Sequence, residues 1–404
     1  MSALVDVATA RRGMAALVDE GLGDEEIQRA YAHAVWSTLV EPGDGVAGAL
    51  IEALGVVRAL ELALSQTSER AATSEIGLDD RELRAGYARW QPRRGDAVSA
   101  FDAARRAGAR LLTPDDAAWP VAVRDLGVHA PLCLWVRGDT GILRTPAAVA
   151  LVGARAATAY GTHVASQIAA ECAADGILVV SGAAYGIDGA AHRGALHAAG
   201  PTIAVLAGGV DRPYPAGHGD LISQIARSGT VIAEVPCGSA PTKWRFLARN
   251  RVIAALSGAT VVVEAAQRSG ALNTAYHAAS LGRPLGAVPG PVTSAASAGC
   301  HRLMREADAV CVTGSADVRE LLGYGPESDP IPGAEDAART DGTTRIMDAL
   351  SARTPRTTDE VARRSGFSPA DAGGVLGLLE LDGRVERAPT GWTRRSTASP
   401  PRLW

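Results

Sequence analysis

Lysine is almost missing from this chain: of 40 Lys and Arg residues, only Lys243 is a lysine. Arginine dominance is a compositional bias, so the lone lysine is a hint to one position. Aromatic residues make up 4%, with three phenylalanines, so the core must be built from Ala, Val and Leu. Cysteine is sparse too. Cys133, Cys172, Cys237, Cys300 and Cys311 show no metal-ligand spacing, and an odd count argues against a complete disulfide framework, which fits a reduced cytosol. No basic-then-apolar leader opens the chain, and no apolar run reaches the ~20 residues of a membrane-spanning helix, so no membrane partner and a cytoplasmic location are expected. There is no excess of positive charge. The net charge is −4, and nothing global favours nucleic acid.

The charge is unevenly placed. Residues 1–143 carry 21 acids and 15 bases, residues 144–323 carry 11 and 14, and residues 324–404 carry 12 and 11. The middle of the chain is the basic part, and that local excess matters more than the total because salt screens charge over about 8 Å. At its centre lies PTKWRFLARNRVIAALSGATVVVEA, residues 241–265. Lys243, Arg245, Arg249 and Arg251 fall close together with no acid among them, and Trp244 and Phe246 are interleaved. Cations suit phosphates and an aromatic face suits an unpaired base. The segment reads as a basic aromatic loop feeding a helix (249–256) and a buried strand ending at Glu264.

At 404 residues the chain has room for two or three domains. Residues 1–29 read as a helical extension or loose tail. Residues 30–63 read as helix, turn (EPGDG) and helix, with Gly55 ending one helix. That module is either a phosphate-holding helix-hairpin-helix (SAM-like) unit or a packing domain. Residues 68–99 are polar and irregular, 100–109 helical, and PLCLWVRGD a strand. From residue 147 the text alternates strand and helix: strands AVALVG, ILVVSG, TIAVLAGG, TVIAEVP, TVVVEA and PLGAVPG, with helices at 159–174, 187–199, 220–227, 249–256 and 269–282. Short apolar strands separated by helices predict a Rossmann-like, doubly wound, mostly parallel α/β sheet. The expected division is a helical domain at 1–110, the Rossmann-like domain at 111–323, a Pro/Gly/Asp-rich linker at 324–341, a winged-helix domain at 342–395 and a tail at 396–404. The third helix of the winged unit has no cation between Ser368 and Gly383, so base reading by it would be unusual.

Ligands of such a sheet sit at the carboxyl ends of its strands. Three small-residue loops are expected there: Gly153-Ala154-Arg155, then Ser181-Gly182 through Gly186, then Ser269-Gly270. Glycine before a helix start suits phosphate, and Arg155 favours an anion. Neither GxGxxG nor GxxxxGK[ST] is present, so no nucleotide cofactor is expected. Asp188 and His192 are i, i+4 and could pair, although His192 reads more naturally as a structural tie. Glu264 ends a strand, as catalytic acids do, or is structural, pairing with Arg249 or Arg251. Neither a supported nucleophile nor a metal cluster is readable.

These residues resemble the DNA-processing protein A (DprA/Smf) family over about residues 112–322. VGARAATAYG, SGAAYGIDGAAHRGAL, TIAVLAGGVDRPYPAGH and KWRFLARNRVIAALSGATVVVEAAQRSGALNTA are similar to its motifs. Ala154, His218, Leu247 and Ala271 stand where Ser, Asn, Pro and Ser are usual. The resemblance implies a cytoplasmic, non-enzymatic protein that binds single-stranded DNA, protects it and loads the RecA recombinase, as in natural transformation. It carries DNA-binding roles to Arg155, Lys243, Phe246, Arg249, Asn250 and Arg251. It also implies a homodimer through about residues 300–323, here Val318, Leu321 and Leu322. The rival reading is a nucleoside-monophosphate hydrolase on a related sheet. Such enzymes carry Gly-Gly-x-Gly-Thr-x-x-Glu with a catalytic Glu, where this chain reads SGALNTAYH with no acid. A third is a protein adaptor acting through the winged-helix tail.

Overall fold

The computed structural model describes residues 6–65, 80–93, 95, 97–325, 342–352 and 354–395. The chain forms two compact units, residues 1–325 and 326–404. The expected linker at 324–341 and tail at 396–404 fall almost wholly or wholly outside the described residues.

The larger unit opens with helices α1 (Val7–Met14), α2 (Asp24–Leu39), α3 (Gly45–Leu54), α4 (Val56–Ser65), α5 (Asp80–Trp90) and α6 (Ala97–Arg106). The EPGDG turn separates α2 from α3, whose N-cap Asp44 accepts from the Val46 and Ala47 amides. Gly55, at φ 76°, ends α3 as the sequence predicts. The stretch read as irregular contains α5. Its sequence, DRELRAGYARW, has few apolar positions, and its helix is held by tertiary packing: Trp90 is buried edge-on against Trp36 and Tyr87.

Among the described residues, nine strands form one sheet: β1 (Arg110–Leu112), β2 (Leu134–Gly138), β3 (Ala148–Val152), β4 (Leu178–Ser181), β5 (Thr202–Leu206), β6 (Thr230–Ala233), β7 (Ala259–Val262), β8 (Leu285–Ala287) and β9 (Val310–Cys311). Their order is β1-β2-β6-β5-β4-β3-β7-β8-β9. Every pair from β6 to β9 is parallel, while β1 and β2 add on antiparallel. The parallel strands are apolar runs because helices cover both faces. These are α7 (Ala159–Ala174), α8 (Ile187–His197), α9 (Gly219–Ser228), α10 (Lys243–Leu256), α11 (Gly270–Ser280), α12 (Ala298–Glu306) and α13 (Ser315–Leu321). The chain leaves β3 toward β6, then returns to place β7 on the other side of β3. A switch point therefore lies between the carboxyl ends of β3 and β7, where a doubly wound sheet opens a crevice.

The structure differs from two expectations. Residues 243–248 are helical and not a loop: α10 starts at Lys243, with N-cap Thr242 accepting from the Arg245 amide. Charged and apolar residues fall all round this helix, so no amphipathic stripe marks it. Val318, expected at a dimer surface, is the fully buried residue of α13 and lies among core residues, and Leu321 and Leu322 pack partly buried against the same cluster. Near that end the exposed apolar side chains are Val310 (50% exposed) and Tyr324 (42%).

The smaller unit holds α14 (Gly342–Ala349), α15 (Thr358–Ser365), α16 (Pro369–Leu381) and the antiparallel pair β10 (Val385–Ala388) and β11 (Gly391–Arg394). Three helices and a two-stranded wing share a core of Ile346, Val361, Leu376 and Trp392. This is a winged helix.

Candidate nucleic-acid interface

A cleft of about 190 Å³ opens at the switch point, between the loops after β3, β4 and β7 and the flank of α10. Its lining includes Gly153, Arg155, Asp188, Phe246, Arg249, Asn250, Ser269 and Gly270. Three loops distant in sequence and one helix thus meet at the carboxyl ends of the strands.

The first loop is fixed from below. Glu264, 2% exposed, accepts from the Thr158 amide (2.9 Å) and hydroxyl (2.5 Å), while its own carbonyl accepts from the Ala154 amide (2.7 Å). Glu264 therefore locks the loop instead of pairing with Arg249 or Arg251, and it is not presented as a catalytic acid. Gly186, at φ +76°, brings its Cα so close to the first loop that a Cβ would lie 2.2 Å from the Ala154 carbonyl oxygen. Gly182 leaves room for Arg249, whose Nη1 would sit 1.9 Å from a Cβ there.

The cleft's electrostatics centre on Arg249, only 7% exposed. One Nη donates to the Val205 carbonyl, while Nε has no partner among the described residues. Burial pushes Arg249 down to about 10, opposed by Asp188 and reinforced by Arg155. Burial likewise raises the Asp188 carboxyl, opposed by Arg249 and by the main-chain amides of Ala184, Gly182 and Gly153. A buried guanidinium with an unpaired donor is costly unless a ligand completes its bonding. An anion would do so.

At the mouth, the exposed Arg155 lays its guanidinium over Phe246, with Cζ 4.6 Å from the ring centroid. The half-buried Phe246 also meets Tyr214 at 5.5 Å, tilted by 55°. Tyr214 went unnoticed in the sequence, although RPYP places it after β5 on the same sheet edge. Lys243 is exposed at the first position of α10. Gly270, exposed, starts α11 behind its N-cap Ser269, which accepts from the Ala271 amide. Cations and helix starts here suit phosphate, and the aromatic ring suits a base.

Several expected site residues lie elsewhere or are already engaged. Arg251 is buried and paired to Glu234 at 2.7 Å, the same carboxylate oxygen that accepts from the Gly43 amide. Ser181 is buried and donates to the Leu151 carbonyl at 2.6 Å, so its hydroxyl ties strands together. Asn250 lines the cleft but spends its amide on the Gly270 carbonyl (3.3 Å) and the Asn273 side chain (3.1 Å), fixing α11 to α10. His192 does not pair with Asp188. It meets the Thr202 hydroxyl at 2.8 Å, and burial pushes it down to about 3. His218 occupies the usual Asn position, buried against the Ala183 carbonyl (2.9 Å) and the Tyr185 ring. Among the described residues no His, Cys, Asp and Glu cluster could hold a metal ion, and no helix is long and apolar enough to cross a membrane.

A family model described as DNA recombination-mediator protein A matches residues 110–323, and the DprA winged helix domain matches residues 330–391. The chain belongs to this family. A putative DNA processing protein DprA of Mycobacterium tuberculosis is 44% identical over 372 residues, covering 88% of this chain and 92% of the relative. Protein Smf of Escherichia coli is 34% identical over 275 residues, covering 65% of this chain and 72% of the relative. An X-ray structure of DNA processing protein A from Streptococcus pneumoniae matches with a TM-score of 0.57 and 28% identity, covering 72% of this chain and 97% of that one. Both matched regions coincide with parts of the fold described above: the sheet that forms the cleft and the winged helix.

Proposed function

We propose that this protein is a recombination mediator that binds single-stranded DNA at the switch-point cleft, protects it, and loads a RecA-type recombinase onto it, as in natural transformation. The reading rests above all on Arg249, a buried guanidinium with an unpaired donor in a cleft whose mouth is Arg155 on Phe246. A phosphate answers Arg249. A base answers Phe246 once Arg155 swings off the ring to take a neighbouring phosphate. Gly153, Gly182, Gly186, Ser269 and Gly270 shape the cleft, and Lys243 extends its charge outward. Arg251, Ser181 and Asn250 serve as supports.

The protein acts as a binding module without turnover. It works as a homodimer, and the surface near β9 that offers exposed apolar groups is Val310 with Tyr324, instead of the buried Val318. The cleft favours a single strand because an unstacked base can reach Phe246, whereas a duplex keeps its bases stacked. The test is a titration of the full chain with single-stranded and blunt double-stranded oligonucleotides of equal length across a salt series. Single strands should bind much more tightly, with little sequence preference. Equal affinity for the duplex would overturn the reading. Recombinase loading is tested separately, by filament assembly on strands coated with a single-strand-binding protein.

A further inference from the structure

The same carboxyl end of the sheet carries a second cleft, of about 610 Å³, where the loops after β5 and β6 face one side of α6. Arg93, Arg106, Arg212 and Arg245 line it against one acid, Asp211. Asp211 is already committed, accepting from the Gly238 amide at 2.9 and 3.0 Å. Arg93 and Arg245 share the Glu41 carboxylate. Arg106 and Arg212 are exposed, and neither guanidinium has an ion-pair partner among the described residues. Among the described residues, four guanidinium groups against two carboxylates leave this cleft at +2 in a chain of net −4.

The two clefts meet at the first turn of α10. Phe246 lines the first and Arg245 the second, and consecutive Cα atoms are about 3.8 Å apart. A third cleft, of about 820 Å³, begins at the exposed Trp244. Glu41 at its border is already held by Arg93 and Arg245, and the rest of its charged lining among the described residues is Asp44 and Glu82 against Arg89, an acidic excess that disfavours a polyanion. Charge therefore decides which way a strand leaves Phe246.

We infer that a single strand held at Phe246 continues into the arginine cleft, where Arg106 and Arg212 bind its next phosphates. Helix α6 is then part of the nucleic-acid surface. This rests on the single-strand reading above and deepens it.

The test uses the full chain, fluorescent oligothymidylates of increasing length, and the double variant Arg106→Ala/Arg212→Ala, with a melting curve to show that it is folded. The parent should gain affinity with length beyond what fills the first cleft. The double variant should bind the shortest oligomers as the parent does and lose that gain. Its salt slope on long oligomers should fall by about 1.4 log units per log salt, two single-strand phosphate contacts at about 0.7 each. A parent that binds but gains nothing with length overturns this inference alone, as does a double variant with parental affinity and slope. Equal loss on short and long oligomers also overturns it, and so does a Trp244→Ala variant that alone abolishes the gain. A parent that binds no oligomer overturns the single-strand reading and this inference together.

Discussion

Replacing Phe246 by alanine separates stacking from charge within one cleft. Stacking of a base on an aromatic ring is worth roughly 1–3 kcal/mol, or about 5- to 150-fold in affinity. Few counterions are released by stacking, so the salt slope should stay that of the parent. The variant also uncovers Arg155, now 4.6 Å over the ring, and loses the Tyr214 contact at 5.5 Å. Deleting a fully buried Phe costs about 3–5 kcal/mol, but this ring is half-buried at a cleft mouth, so the stability loss should stay below that range. A urea melt and an anisotropy titration at several salt concentrations read both quantities on one preparation. Unchanged affinity would refute the stacking role. A loss of stability in the full buried range would show that the ring belongs to the core, and Trp244, 61% exposed, would be the next platform to test.

Arg155→Ala should weaken binding to all sequences and flatten the salt slope by about 0.7 log units per log salt, read in the same titration. Arg251→Ala should instead destabilise the fold by up to about 3–5 kcal/mol in a urea melt, because it strands the partly buried Glu234 carboxylate, while the folded fraction still binds DNA. His192 is held neutral by burial, its value pushed down to about 3. The unfolded chain then binds the extra proton, so stability should fall as pH drops below about 6.5, by at most about 1.4 kcal/mol per unit for this group. His192→Gln should flatten that limb of a stability–pH curve. Purified protein incubated with nucleoside monophosphates should release no free base; release that disappears in Glu264→Gln would establish turnover.

The parallel sheet was legible because each strand is a short apolar run bounded by glycine, and α7 was read with the bounds it has. The strand β1 was not, since three residues carry no periodicity and pairing with β2 alone defines it. At the site, loop glycines identify the places where backbones approach closely, and this is local information. Burial is not local. Nothing in the letters around Ser181 distinguishes a hydroxyl aimed at a ligand from one donating to Leu151, and nothing near Arg251 announces Glu234, whose partner Gly43 lies in the turn between α2 and α3.

The four cations of residues 243–251 take different roles because the segment is helical. Read as a loop, the segment offers every cation to phosphate. As a helix advancing about 100° per residue, it points them in different directions. Taking Lys243 as zero, Arg251 falls at about 80°, beside Trp244 at about 100°, and that side faces Gly43 and Glu234. Arg245 and Arg249 fall at about 200° and 240°, and both reach the loops after β5 and β6. Phe246 and Asn250, at about 300° and 340°, border the switch-point cleft with Arg249. The helix thus carries a structural ion pair on one side and, on another, the buried guanidinium of the proposed anion site. Lys243 is exposed at the first turn, where in the proposed reading it would follow the strand outward.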